Sequence, residues 1–508
     1  MSNHKNKDII LPLSLFLLTV TTRIPFTSKF LYHWDSCQFA LALKEFNVTV
    51  HQPHPPGFFL YVMLGKFINL FVDDANITFI SISILFSGFA VVAIYYLGKE
   101  MFDKKIGLFA AVIALTSPTM WFYGEVALTY IVEGFFSTII ALLCWRIFKG
   151  EQKYIWLSAV ALGIAGGMRV YSIIFLFPLW LFSVKCVPMR KILSSLGLLG
   201  IVCLLWFLPM IWMTGGWSAY REAYRELLLF TAVRAIEHKN VFLRIFSTPL
   251  FRFIIYGLGA GIFILGLTVY SLIRHKKLFS LDRSKVLFCL VWLMPSVLFY
   301  LWLGLHPAIP GYTLLLLPAI FILTSVSIGY FSNNLTRLIQ RDLFNPIALT
   351  IIIINTWLFF FSHFPVSHRE IRNHDQNISI ILEGIKTFNP VNTAIFIEPY
   401  MFFSYRHIMY YYPEYRVYNV DISVAPTGER RKLFWGVNRV TFLSDAITLP
   451  EGITSFVAPY ISDEIDKLSM KKSLNIKNIN GTNFYFISGD IRIIKTVFPQ
   501  LNIQFHQQ

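Results

Sequence analysis

The chain has 508 residues, 56% of them hydrophobic and 14% charged, with a formal net charge of +16. A soluble globular chain carries roughly a quarter charged residues, so this composition excludes an ordinary soluble enzyme and points to an α-helical polytopic membrane protein. The positive balance is read as topology and attraction to anionic lipid, not nucleic-acid binding, because Lys and Arg of membrane proteins gather in cytoplasmic loops.

A spanning helix needs ~20 apolar residues. In chain order the apolar runs predict about 11 transmembrane helices, over 8–26, 77–97, 107–123, 126–148, 154–168, 170–184, 193–213, 253–273, 286–303, 312–331 and 346–362. The first run has no small-residue cleavage site and leads into further runs, so it reads as a retained span. The fifth and sixth are short and share Gly163, Gly166 and Gly167, which suits tilted or broken helices. Basic residues fill alternate short loops: Lys5 and Lys7 before the first span, then Lys99, Lys104 and Lys105, then Arg146, Lys149 and Lys153. The pattern continues with Lys185, Arg190 and Lys191, with Arg274, Lys276 and Lys277, and with Arg337 and Arg341. That alternation predicts a cytoplasmic N-terminus and a multi-pass protein of the cell (plasma) membrane. Two long loops, 27–76 and 214–252, then face outward, and an odd number of spans puts the tail outside. The expected division is a transmembrane domain over 1–362 and a small extracytoplasmic α/β domain over 363–508. In the tail, Thr393–Ile397, Val417–Val420, Val440–Leu443, Thr454–Val457 and Phe484–Ile487 read as short strands. Cys37, Cys144, Cys186, Cys203 and Cys289 are scattered without CxxC spacing, so they read as packing residues, with no disulfide framework or zinc site.

The first outer loop carries the densest chemistry. Asp35 follows Trp34 directly after the first span. Phe39, Leu43 and Phe46 then fall on one helical face, and Pro55-Pro56-Gly57 can open a second helix from Phe58 to Phe71. Both helices are too short to span and are expected to lie in the outer interface. Asp35 has two readings. One is an N-cap, with Gln38 three residues on completing a capping box; the other is a general base at the mouth of an active site. His51 and His54 read either as polar turn residues beside prolines or as a metal pair, and an HxxH off a helix is a weak metal signal.

These residues carry a resemblance. The layout of cytoplasmic N-terminus, acid-bearing first outer loop and two interfacial helices resembles the membrane-embedded glycosyltransferases of the C fold type. The strings WDSCQFALA and HPPGFFLYVMLGKF are similar to the protein O-mannosyltransferase and aminoarabinose-transferase branch. The likeness in layout covers roughly residues 1–330, with strong motif identity around 34–66. Many members carry Asp-Glu at the first position, where this chain has Asp35-Ser36. The resemblance implies inverting transfer of a sugar from a polyprenyl-phosphate carrier to an acceptor hydroxyl at the outer membrane face, with Asp35 as general base. Glu125 matches by position the second acid that such transferases often hold in the second outer loop, where it would bind a metal or orient the acceptor.

Other residues complete the expected site. Glu125, Thr129 and Glu133 fall four apart and would share one helical face; the plainer reading makes Glu125 an exposed turn acid and Glu133 the partner of an Arg. Arg169, at the turn between two apolar runs, reads as a phosphate clamp or as a snorkelling anchor. Arg221 and Arg225 sit one helical turn apart beside Tyr220 and Tyr224, a stripe that suits a phosphate or a solvated, headgroup-facing helix. His306 and Tyr312 flank the turn before the tenth span, where the resembling families place a group above the carrier phosphate; a belt tyrosine in a turn is the plainer account. Tyr405-Arg406-His407 and Tyr410-Tyr411-Tyr412 suit sugar stacking or packing equally. No cofactor is required; a divalent cation at Asp35 and Glu125 is compatible with the pattern. The expected partners are a polyprenyl-phosphate sugar, membrane lipid and an acceptor glycan, lipid or protein, with no nucleic acid. The competing functions are a lipid-linked-sugar flippase or transporter and a polyprenyl-diphosphate glycan polymerase or ligase. The acids cluster at the outer face and no inverted repeat is visible, which disfavours a transporter.

Overall fold

The computed structural model describes residues 2–236, 249–275, 282–303, 309–339, 342–397, 402–419, 447–460, 475–478, 485–498 and 503–504. In chain order the helices are α1 (Ser2–Arg23), α2 (Trp34–Lys44), α3 (Phe59–Val72), α4 (Ala75–Met101), α5 (Lys104–Thr116) and α6 (Pro118–Tyr123). There follow α7 (Tyr130–Phe148), α8 (Ile155–Met168), α9 (Tyr171–Ser183), α10 (Met189–Met213), α11 (Trp217–Ile236) and α12 (Pro249–Leu258). The last six are α13 (Gly261–His275), α14 (Arg283–Leu303), α15 (Leu317–Ile339), α16 (Phe344–Phe361), α17 (His368–Ile385) and α18 (Tyr405–Tyr411). The chain forms two compact units. The first comprises Met1–Ser28, Phe58–Trp212 and Arg234–Ile371; the second comprises Lys29–Gly57, Met213–Val233 and Arg372–Gln508.

The first unit is helical and reads as an integral multi-pass membrane protein. Among the described residues, six helices are long and apolar enough to cross a membrane: Ile9–Phe26, Ala75–Met101, Tyr130–Phe148, Met189–Met213, Arg283–Leu301 and Phe344–Phe361. A seventh crossing results if Pro249–Leu258 and Gly261–Tyr270, bent by 116°, count as one. The other predicted spans are shorter or broken, for local reasons. The run 107–123 divides at Ser117-Pro118: Pro118 has no N–H and disfavours helical backbone before it, and the Ser117 hydroxyl caps α6 by accepting from Met120 N. Gly259, at φ +52°, makes the bend between α12 and α13. Pro310-Gly311 opens a tight 3-10 turn, Pro310–Leu315, ahead of α15. α8 and α9 have only 14 and 13 residues, and α9 contains Pro178. α3 turns Phe67, Leu70 and Phe71 to the exterior, as a helix lying against lipid would.

The second unit is built on a mixed sheet of β1 (Thr393–Ile397), β2 (Arg416–Asn419), β4 (Ser455–Tyr460), β5 (Asn475–Asn478) and β6 (Tyr485–Asp490), with β3 (Ile447–Thr448) and β7 (Ile503–Gln504) paired separately. The spatial order is β2-β1-β4-β6-β5, parallel on the β2-β1-β4 side and antiparallel at β4-β6-β5. Alternate residues of β1 feed two cores. Ala394 and Phe396 join Phe456, Ile487, Ile491 and Ile494 on one face. Ile395 and Ile397 join Ile378, Ile381, Leu382 and Ile385 of α17 on the other, a spacing that lines one helix face. Four of the five predicted strands are present, with starts within a residue and with β4 and β6 each running three residues past the predicted end; Val440–Leu443 lies outside the described residues.

Candidate active site

The start of α2 sets the position of Asp35. His33 is extended, at φ −140° and ψ 157°, and its Nδ1 accepts the Asp35 backbone N–H at 3.1 Å. His33 is therefore the N-cap, and the expected capping role of Asp35 does not arise. Asp35 lies in the first helical turn, where the exposed backbone N–H groups favour an anion. Gln38 does not close a capping box either: its Nε2 donates to Asp35 Oδ1 at 3.3 Å. His54 Nδ1 lies 3.5 Å from the same oxygen, and His33 Nδ1 lies 3.4 Å from Oδ2. Because His33 Nδ1 already accepts a backbone N–H, that approach is not an ion pair while the ring is neutral. Burial works against the Asp35 charge, but His54, His33 and Arg406 outweigh it and hold the carboxyl well below the usual carboxylate range. The side chain keeps 16% of its surface exposed. The site thus offers an ionised carboxylate, fixed at one oxygen and reachable from outside.

The segment around Asp35 is held by the second unit's own residues. Lys29 N donates to both carboxylate oxygens of Asp375, and Leu31 N donates to Tyr411 Oη at 2.9 Å. His407 takes Ser404 N on Nδ1 and donates from Nε2 to Leu31 O at 3.0 Å. Arg406 donates from Nη1 to His51 O at 3.4 Å and from Nε to Tyr405 Oη at 2.9 Å. α18 packs against α2, and Ser36, Cys37, Gln38, Phe39, Ala40 and Ala42 are buried. The expectation that this helix lays an apolar face of Phe39, Leu43 and Phe46 into the membrane interface is therefore corrected: Phe39 is covered by protein, and Phe46, beyond the helix end, is buried as well. Tyr405, Arg406 and His407 are buried as well, so they hold the fold and offer no surface to a sugar. His51 is a buried turn residue at φ +57°, the left-handed region, and burial followed by Arg406 pushes its imidazole well below the ordinary value. His54 is the outer member of the predicted pair, with its side chain 21% exposed.

On α11, in the same unit, Tyr220 is buried and its hydroxyl donates to Pro56 O at 3.3 Å, while Tyr224 stacks on it. Arg221 and Arg225 are exposed, and Arg225 faces Glu222 at 3.8 Å. The expected basic stripe is present and directed to the exterior.

The first unit holds the remaining candidates. Glu125 lies before α7, in the turn that Gly124 opens at the end of α6, so it shares no helical face with Glu133. It is fully buried, and Trp121 Nε1 donates to its Oε1 at 2.6 Å. Arg23, which sequence reasoning passed over, is also fully buried: its guanidinium lies 4.2 Å above the Trp121 ring and donates to Leu115 O at 2.6 Å. The signal available was a lone Arg closing the first apolar run. Arg169 Nε pairs with Glu133 Oε2 at 3.2 Å, and Nη1 donates to Thr129 Oγ1 at 3.0 Å. Its guanidinium faces the rings of Tyr130 at 4.4 Å and Tyr312 at 5.5 Å. Tyr312 thus belongs to the wall around Arg169, and Glu133 is the partner of an Arg. His306 lies outside the described residues. Asp35 and Glu125 belong to different units, and among the described residues no three His, Cys, Asp or Glu side chains are grouped to hold a metal ion.

Residues 53–213 match the profile of the dolichyl-phosphate-mannose-protein mannosyltransferase family. No curated protein sequence matches the chain. The fold is similar to that of ArnT from Cupriavidus metallidurans bound to undecaprenyl phosphate, with 10% identity, a TM-score of 0.59, and coverage of 94% of this chain and 97% of that one. The apo form of the same protein gives 10% identity, a TM-score of 0.59, and coverage of 96% and 98%. The apo oligosaccharyltransferase of Archaeoglobus fulgidus is more distant, at 12% identity and a TM-score of 0.45, with 80% of this chain and 63% of that chain covered. The resemblance read from the first outer loop holds: a mannosyltransferase-family segment lies on an ArnT-like fold.

Proposed function

We propose that this chain, a membrane glycosyltransferase of the C fold type by its family segment and its fold, moves a sugar from a polyprenyl-phosphate carrier to an acceptor hydroxyl with inversion. The observation that carries the reading is Asp35: an ionised carboxylate with one oxygen fixed and part of its surface open. In one displacement the acceptor oxygen bonds to the anomeric carbon, the bond from that carbon to the phosphate oxygen breaks, and the hydroxyl proton passes to Asp35. A carboxylate held so firmly as an anion is a weak base. Proton transfer therefore follows the new C–O bond, once the attacking oxygen has become acidic. The leaving phosphate spreads its charge over several oxygens and needs no strong acid. Cations and hydrogen-bond donors steady it, each donor contributing about 3 kcal/mol where charge develops in a dry site; the candidates are the cationic Arg221 and Arg225, His306, the Tyr312 hydroxyl, and Arg169 to the extent that Glu133 releases it. Glu125 is the candidate for orienting the acceptor, and no step requires a divalent cation.

In this reading eleven apolar segments lie in the membrane, some as broken helices, with the N-terminus cytoplasmic and residues 363–508 outside the cell membrane. The ArnT structure that shares the fold was determined with undecaprenyl phosphate, which supports a lipid-phosphate donor. Purified protein in liposomes, given a polyprenyl-phosphate sugar labelled in both parts, tests the class of activity. Transfer predicts free polyprenyl phosphate together with a glycosylated acceptor of inverted anomeric configuration. Passage of the intact donor across the bilayer would make the protein a flippase, and chain growth from a diphosphate-linked glycan would make it a polymerase or ligase.

A further inference from the structure

We propose that Gln38 is a positioning residue that fixes both the Asp35 carboxylate and the tautomer of His54; this rests on the reading of Asp35 as the base. Gln38 is 1% exposed, on the first turns of α2. The backbone N–H of His54 points at one atom of its amide at 2.8 Å, and a backbone N–H can only donate, so that atom is the oxygen Oε1. The same oxygen lies 2.6 Å from His54 Nδ1, which must therefore carry a proton. The other amide atom is then the NH2, and it donates to Asp35 Oδ1 at 3.3 Å. One buried amide thus ties the first turn of α2 to the Pro53–Gly57 turn and decides three things together. It occupies Asp35 Oδ1 with a neutral donor, so Oδ2 is left as the oxygen that meets the acceptor's proton. It keeps His54 as the Nδ1–H tautomer. It sets the distance of the His54 ring from the carboxylate.

Substitution at position 38 separates these roles. In Gln38→Glu the oxygen toward His54 survives, but the donor to Asp35 becomes an oxygen bearing like charge. The groups facing Asp35 are His33 before α2, His54 from the proline turn and Arg406 from α18. None of them changes, so the added carboxylate raises the Asp35 proton affinity.

The test is the pH–rate profile of sugar transfer for Gln38→Glu, Gln38→Met and Asp35→Asn, each checked for folding by thermal unfolding. Gln38→Glu should lose on the order of 10- to 100-fold in kcat, as misplacement of a reacting group does. Its acid limb should move to higher pH by about one unit or more, with KM for the donor within about threefold. Gln38→Met, of similar volume, should lose kcat with little movement of the limb, and it carries the test if the Glu variant does not fold. A uniform loss at all pH values in Gln38→Glu, with the limb unmoved, would make Gln38 a packing residue and overturn the proposal. So would wild-type kcat in Gln38→Met. If Asp35→Asn turns over normally, the base assignment falls and this inference falls with it; if Asp35→Asn is inactive while both Gln38 variants are normal, only this inference falls.

Discussion

Replacing Glu133 by Gln tests whether the buried Arg169 is a structural cation. The carboxylate is fully buried, and it meets a guanidinium with 9% of its side chain exposed at 3.2 Å. Removing one partner of a buried pair costs ~3–5 kcal/mol, because the other charge stays behind uncompensated. Arg169 would not be left bare. It keeps the Thr129 hydroxyl at 3.0 Å and the Tyr130 and Tyr312 rings at 4.4 and 5.5 Å, and each such face returns ~0.5–2 kcal/mol. A Gln side chain also leaves an acceptor oxygen in place. The expected cost of Glu133→Gln is thus about 2 kcal/mol, and that of Arg169→Met in the wild-type background is larger, since it strands a buried carboxylate. The double variant Glu133→Leu with Arg169→Met should recover much of the loss. Thermal unfolding in one detergent of the wild type, Glu133→Leu, Arg169→Met and the double variant gives the four corners of the cycle, and a coupling energy of at least ~1 kcal/mol is expected. Additive losses, or a Glu133→Gln change under ~0.5 kcal/mol, would refute the pairing and return Arg169 to the role of a freely available phosphate clamp.

Three further outcomes follow from particular contacts. A Cβ at Gly311 would stand 2.5 Å from Tyr130 and 2.7 Å from Tyr123, so Gly311→Ala should destabilise by ~1–3 kcal/mol through overpacking, read as a lowered Tm; an unchanged Tm would contradict that close packing. His374 and His407 are buried in the second unit, and burial lowers both imidazoles to about 3. Between that value and the unfolded value near 6.5 the unfolded chain binds more protons, so stability rises with pH there by up to ~1.4 kcal/mol per unit for each ring. The Asp35 carboxyl, held low, contributes a constant stabilisation above its unfolded value and hence no slope between pH 5 and pH 7, and so a fall in Tm from pH 7 to pH 5 that His374→Asn and His407→Asn shrink belongs to the histidines; a flat profile would refute their burial as neutral rings. Arg221 and Arg225 are exposed, so Ala at both should alter stability by under ~0.5 kcal/mol while raising donor KM and flattening its salt dependence; an unchanged KM would remove them from donor binding.

What was legible in the sequence was whatever depended on local pattern. The apolar runs of α4, α7, α10 and α16 became long helices, and alternation in Thr393–Ile397 became a strand with two buried faces. Breaks were harder to see. Ser117-Pro118 and Gly259 break predicted runs that stay apolar on both sides, because a lost N–H or a positive φ leaves no trace in hydrophobicity. Long-range partners were invisible. Nothing near Asp35 in sequence announces that Arg406 and His407 hold its loop, since those contacts span more than 350 residues. The Phe39 and Phe46 stripe was recognised as apolar but assigned to lipid, because periodicity reports that a face is covered and not by what. For the same reason Arg23 escaped notice: a single Arg at the end of a span looks like an anchor until Trp121 and Glu125 are found beside it.

The most direct measurement is single-turnover transfer by purified Asp35→Asn from a radiolabelled polyprenyl-phosphate sugar, beside the wild type, at equal donor occupancy. Asparagine preserves shape and can still meet Gln38 and His54, but it takes no proton. A loss of roughly 10²- to 10⁴-fold in kcat, with Tm and donor affinity near wild type, is the predicted result. Transfer within a few fold of wild type would contradict Asp35 as the base.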